Sequence, residues 1–344
     1  MRNRAMWTVV AAAVVAGGLA VPAPATAAGA SAVTLPVAAA ADIVTVRNRV
    51  FVSGGPDSAA VAVTNGDGRV LGTVPLGAGT ADLALSGSGH DLYVALPSAR
   101  AIAVIDTRTL TEIARYPTGD ACPRSLARTA RWLYFGYNCG SGNWDGNIGV
   151  MGLDGQGVRY GLARTTFYDT PRLEAPATTR GPLLAWDSSL SPATISVYGV
   201  GRDGTPTWLR DSAWDAVGSN LADVAVTGDG TSALTAAGAP YEVREFTVAD
   251  LAEPSVRYGT GPYPIAVELD PGEARVAAAV AWFDPDVQVF GRDGAVRHVA
   301  TVPGNLFDRA LAWSPDGTRL YAVTGDPFAQ PPLPATLHVL PVPA

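Results

Sequence analysis

Several aromatic residues in this chain stand beside a carboxylate. Trp144-Asp145, Trp186-Asp187 and Trp214-Asp215 are adjacent pairs, and Trp282 lies two residues before Asp284. Tyr168-Asp169 and Phe307-Asp308 repeat the arrangement. A ring face stacks on the apolar face of a sugar, and a neighbouring carboxylate accepts hydrogen bonds from its hydroxyls. The same pairing also suits peptide or cationic groups. Alternatively, the rings fill spaces between structural units and the aspartates cap turns. Carboxylates converging on one cleft, such as Asp169, Asp187, Asp215, Asp284 and Asp308, would supply an acid and a base for hydrolysis or elimination.

Other chemistries have less support. The three histidines, His90, His298 and His338, fall in a short turn and two strands, away from the aromatic-acid pairs, which disfavours a Ser-His-Asp site. Asn143-Trp144-Asp145-Gly146-Asn147 alternates oxygen ligands around a glycine. It lacks the downstream bidentate Glu of an EF-hand, so a polar turn is expected there and no metal site is assigned. Gly-rich stretches such as Gly66-Asp67-Gly68 read as hairpin turns, without the strand-to-helix context of a phosphate loop. No cofactor and no catalytic residue is assigned.

The elements that must carry these residues are β-hairpins. Leu311–Val323, LAWSPDGTRLYAV, has an apolar strand, a Ser-Pro-Asp-Gly turn and a second apolar strand. The same thirteen-residue frame recurs with starts near 41, 83, 124, 173, 224, 267 and 311, at intervals of 42, 41, 49, 51, 43 and 44 residues. A third strand follows each hairpin, and a fourth often follows an Asp-Gly turn. A period in the forties built from strands predicts an all-β fold, a seven-bladed β-propeller of four-stranded antiparallel blades. The seventh repeat ends after its third strand. Ala32–Val37 is therefore expected to complete the last blade and close the ring.

Cys122 opens the inner strand of the third repeat and Cys139 ends the second strand of that hairpin. If Leu126 faces Leu133, as the frame implies, the two cysteines lie close together on one face and form a disulfide. In a propeller the turns within the hairpin, and between strands three and four, share one face. Here they are short and uniform. The remaining connections share the opposite face, are long and uneven, and carry the aromatic-acid pairs, so function is expected there.

The segments Ser314-Pro315-Asp316-Gly317 with Leu320-Tyr321-Ala322-Val323, and Leu92-Tyr93-Val94 with Ile102-Ala103-Val104-Ile105-Asp106-Thr107, resemble the repeats of bacterial YVTN/YncE-like, WD40-like propellers. The resemblance covers essentially all of the chain after its N-terminal segment. It implies the propeller fold and a family that includes binding scaffolds, surface proteins and a few enzymes.

Composition narrows the setting. The net charge is −7 and every basic residue is arginine, which argues against sequence-independent nucleic-acid binding. Arg2 and Arg4 precede an apolar run, Ala5–Ala20, and the small-residue site Ala25-Thr26-Ala27. Residues 1–27 therefore read as a signal peptide and 28–344 as a single propeller domain, exported, monomeric and without a membrane span. The expected function is a secreted binding or scaffold protein recognising a glycan, peptide or protein on the long-loop face. The alternative is a carboxylate-based glycoside hydrolase or lyase, or a lactonase-like enzyme.

Overall fold

The computed structural model describes residues 30–140, 143–177, 180–326, 329 and 333–343. The expected signal peptide lies outside them. Seven antiparallel sheets surround one axis. Their inner strands are Asp42–Val46, Leu83–Leu85, Pro123–Arg128, Arg172–Glu174, Ser219–Val226, Pro264–Leu269 and Asn305–Trp313, and neighbours in this order touch around a closed ring. Strands run outward in chain order within each blade except the seventh, whose outer strand comes from the start of the chain. Six sheets have four strands. In blade three the outermost position reduces to isolated bridges, Val150 to Arg159 and Gly146 to Phe167.

The ring closes where the repeat count requires it. Ser31–Thr34 pairs antiparallel with Thr336–Pro341 and forms the outer strand of blade seven. This covers an edge whose unpaired amides would otherwise face water.

The apolar residues form seven clusters, one between each pair of adjacent blades. Phe51, Val61 and Val63 of blade one meet Leu83, Leu92 and Val94 of blade two. The equivalent layer between blades seven and one joins Leu35, Tyr321 and Val323 to Ile43, Val50 and Val52. Both faces of a blade are thus covered, which explains the near-continuous apolar second and third strands. The tyrosine of the Leu-Tyr motif crosses each layer it occupies. Tyr321 Oη donates to the Gly66 carbonyl at 2.9 Å, Tyr93 to Leu153 at 3.0 Å and Tyr134 to Gly204 at 2.8 Å, each in a turn of the following blade. The motif that carries the family resemblance is therefore scaffold.

The hairpin register corrects one expectation. Leu126 faces Phe135, and Leu133 faces Arg128. Four residues separate the paired ends Arg128 and Leu133, against six between Trp313 and Leu320 in blade seven. Blade one is shortened in the same way between Thr45 and Val50. The structural counterparts of Leu83 and Leu311 are therefore Ile43 and Leu126, two residues beyond the starts of those frames. The cysteines nevertheless meet. Cys122 and Cys139 form a disulfide with Cα atoms 5.2 Å apart.

Candidate functional site

The corrected register aligns one position in all seven blades, immediately before the first inward-packed residue of each inner strand. It holds Asp42, Asp82, Ser125, Arg172, Asp223, Ala266 and Ala310. Four of these side chains tie their blade to the next. Asp42 Oδ2 accepts from the Leu83 amide at 2.9 Å, Asp82 Oδ2 from Leu126 at 2.7 Å, Ser125 Oγ from Leu173 at 3.0 Å and Asp223 Oδ2 from Val267 at 2.9 Å. Without them these inner-strand amides would be buried and unsatisfied.

Arg309 occupies the axis. The inner strand of blade seven leaves its ladder between Leu306 and Leu311, and Arg309 sits in the left-handed backbone region at φ 57°. This excursion points its guanidinium at three other blades: Asp82 Oδ1 at 3.0 Å, Asp223 Oδ1 at 3.4 Å and Asp42 Oδ1 at 4.0 Å. Bulges re-aim side chains in this manner. Arg309 separates two cavities, lining both. One, of about 710 Å³, opens on the long-loop face. The other, of about 300 Å³, opens on the plain face and is lined by Glu174, Asp223 and Glu268.

The charges settle into a pattern. Burial pushes the Asp42 carboxyl well above its usual range, aided by the charge of Asp82 and opposed by Arg309. Burial raises Asp82 too, but Arg309, a hydrogen bond from Asp42 and the Leu126 amide outweigh it and hold Asp82 below the ordinary carboxylate range. Of the two, Asp42 is the one whose surroundings favour the neutral form. Burial, with the neighbouring acids, pushes Glu174 to about 8 and Glu268 well above its usual range. Arg309 is left nearest Asp82, and burial raises Asp223 despite Arg309 beside it.

The mouth of the larger cavity is built from loops of several blades: Asn138 and Gly140, Asp169 to Arg172, Ser188, Ala281 and Trp282, and Asn305 to Arg309. Two glycines allow the Asp169 segment to lie on blade three. A Cβ on Gly146 would stand 1.7 Å from the Asp169 carbonyl oxygen, and one on Gly136 2.0 Å from that of Pro171.

Of the residues expected at the site, Asp169, Trp282, Phe307 and Asp308 line this mouth. Trp144 and Tyr168 form an edge-to-face pair beside it, centroids 5.5 Å apart, with the Trp144 amide on the Tyr168 carbonyl at 2.8 Å. Asp145 is exposed next to them, and Asp284 is exposed next to Phe283. Trp186 is placed elsewhere. It ends the second strand of blade four, is 1 % exposed, and donates Nε1 to the Leu221 carbonyl at 2.9 Å, so its ring packs between blades four and five. Asp187 is a loop clamp, accepting from the Tyr168 and Asp169 amides at 3.0 Å each. Trp214 is fully turned to solvent and, with Asp215, does not line the mouth.

Sequence reading missed Tyr241 and Tyr263. Tyr263 is the centre of an exposed cluster, stacked parallel on Phe283 at 6.4 Å and tilted against Trp282 at 5.9 Å and Tyr241 at 5.8 Å. Trp144, Tyr263 and Trp282 all have positive φ, 70°, 53° and 62°. A bulky side chain held there costs about 1–3 kcal/mol. The Tyr-Pro dipeptide at 263–264 sits at a bulge of the inner strand, a signal that hydrophobic alternation does not report.

Ring, blades and open axial mouth define a seven-bladed β-propeller. Among solved structures the chain is similar over its full length to all of a chain in the crystal structure of the mitotic checkpoint complex, with TM-score 0.66 and 13% identity. It is also similar to a chain of hydrazine synthase from Kuenenia stuttgartiensis, with TM-score 0.59 and 16% identity, over 85% of this chain and 94% of that one. These likenesses show the fold. No family model and no curated protein matches the sequence. Among the described residues no helix is long and apolar enough to cross a membrane, and no group of three or more His, Cys, Asp or Glu side chains is placed to hold a metal ion.

Proposed function

We propose that this is an exported binding propeller of YVTN/YncE-like kinship whose long-loop face takes a saccharide. The observation that supports it best is the exposed aromatic cluster of Tyr241, Tyr263, Trp282 and Phe283, which meets a cavity of about 710 Å³ at Trp282. The rings are 54, 39, 66 and 43 % exposed. Exposing large apolar surface and straining backbone both oppose folding, so stability alone gives no reason for the arrangement. The cavity volume lies in the range of small-ligand sites, and Ser125, Asn138, Ser188 and Asn305 supply hydroxyl and amide partners around it.

The chain without residues 1–27 should gain thermal stability with members of a saccharide panel. Trp282→Ala and Tyr263→Ala should each weaken that binding on the order of tenfold, the range of a central aromatic contact. Stabilisation by none of the saccharides, or undiminished binding in both variants, would contradict the reading. Asp169 and Asp308 share the mouth, which keeps carboxylate catalysis as a second reading. Asp169→Asn and Asp308→Asn would then abolish turnover of a bound saccharide, whereas the binding reading predicts no turnover in any form.

A further inference from the structure

Arg172 carries donors that the protein does not use. It stands at the ring position where other blades place Asp, Ser or Ala, on the inner strand of blade four, and lines the larger cavity. Its guanidinium makes no hydrogen bond or close ion pair with any described residue, and acts on Asp82, Asp223 and Asp308 only through its longer-range charge. Arg309, a second guanidinium, is close enough to repel it. Arg124, exposed in the same cavity wall, likewise bonds to no described side chain or carbonyl. Each guanidinium offers five N–H donors in a planar fork that matches a carboxylate.

Two of the acids nearby are otherwise engaged. Asp82 serves Arg309 and the Leu126 amide, and Asp169 accepts from the Thr170 amide at 2.7 Å. Asp308 alone faces the mouth without a hydrogen-bonded partner among the described residues, and its charge sets a partial counterweight. Arg172 is half-buried in the cavity wall beside a second arginine, its fork unpaired among the described residues and open to the cavity, which suits an anion.

From this geometry we infer that the mouth holds a carboxylated saccharide, its carboxylate on Arg172 with Arg124 in support and its ring face toward Trp282. This rests on the saccharide reading above and names the class of sugar. The ring hydroxyls would meet Ser125, Asn138 and Ser188 along the same wall.

The test is calorimetric titration with glucuronate, galacturonate and glucose. Wild type should bind at least one hexuronate about tenfold or more tightly than glucose, and the preference should shrink as salt rises. Arg172→Gln should erase the preference, bringing hexuronate affinity down to that of glucose. Arg172→Lys, which keeps charge without the fork, should retain part of it, and melting curves of both variants report folding. Arg124→Gln, on the surface, provides a second variant and should reduce the preference. Equal affinity for hexuronates and glucose, or a preference that survives Arg172→Gln, overturns the inference and leaves the saccharide reading standing. Absence of binding by all three sugars counts against both. Arginine-dependent binding of short peptides through their terminal carboxylate, with no hexuronate bound, would overturn the inference in favour of a peptide site.

Discussion

Glu174 shows how a single residue on the axis makes stability depend on pH. It lines the plain-face cavity, and burial raises its pKa from 4.5 to about 8. The folded protein therefore holds a proton that the unfolded chain releases near pH 4.5. The stabilisation from this neutral form is complete below pH 4.5 and is lost as pH rises toward and through 8. Wild type should accordingly melt at a lower temperature at pH 9 than at pH 5. Glu174→Gln, which is neutral throughout, should flatten that loss by on the order of 2 kcal/mol at pH 9 and change little at pH 5. Thermal melts across this range check it, and an identical pH dependence in the variant would contradict the assignment. At the same scale, the aromatic-acid adjacency in the sequence was an uneven guide. Trp282, Asp169 and Asp308 do line the cavity mouth, but Trp186 shows the same pairing and is core. A side chain's direction at the end of a strand depends on the register, which the dipeptide does not contain.

The hairpin is the element whose logic was most legible. Seven frames, their third strands and the closing strand near 32–37 were all present as alternation and turn chemistry, because each blade must bury both faces. What the frame concealed came from turn length. The hairpins of blades one and three are two residues shorter between paired ends, so Asp42 and Ser125 appeared two places from Asp82 and Asp223. A ring of side-chain acceptors was thus scattered across two columns of the alignment. The bulges had a similar effect, since the excursion that aims Arg309 down the axis leaves no mark in hydrophobic period. Blade three is the element with the least regular outer edge, and the disulfide lies in it. The cysteines are 17 residues apart, which corresponds to a stabilisation of about 3 kcal/mol from restricting the unfolded chain. Replacing both with serine should lower the unfolding free energy by roughly 2–4 kcal/mol in denaturant titrations. The loss should be matched by adding a reductant to wild type. An unchanged midpoint would show that the third hairpin is held by its packing alone.

The two faces of the molecule differ in build. The plain face carries short turns such as Ser314–Arg319, where Asp316 accepts from the Ser314 hydroxyl at 2.6 Å and the Thr318 amide at 3.1 Å. The long-loop face carries the open cavity, the exposed rings and three of the aromatic residues with strained backbone. Arg309 stands between them and, with the blade-to-blade acceptors, ties the inner strands into one ring. The ligand we propose binds on the long-loop face. Hydrogen–deuterium exchange on the chain without residues 1–27, with and without whichever saccharide stabilises it, addresses this most directly. Protection should appear at residues 138–140, 143–145, 168–172, 263–265, 281–284 and 305–309. The turns at 86–90, 227–231, 270–274 and 314–318 should exchange as before. Protection confined to those turns, with the loops around the mouth unaffected, would contradict the account.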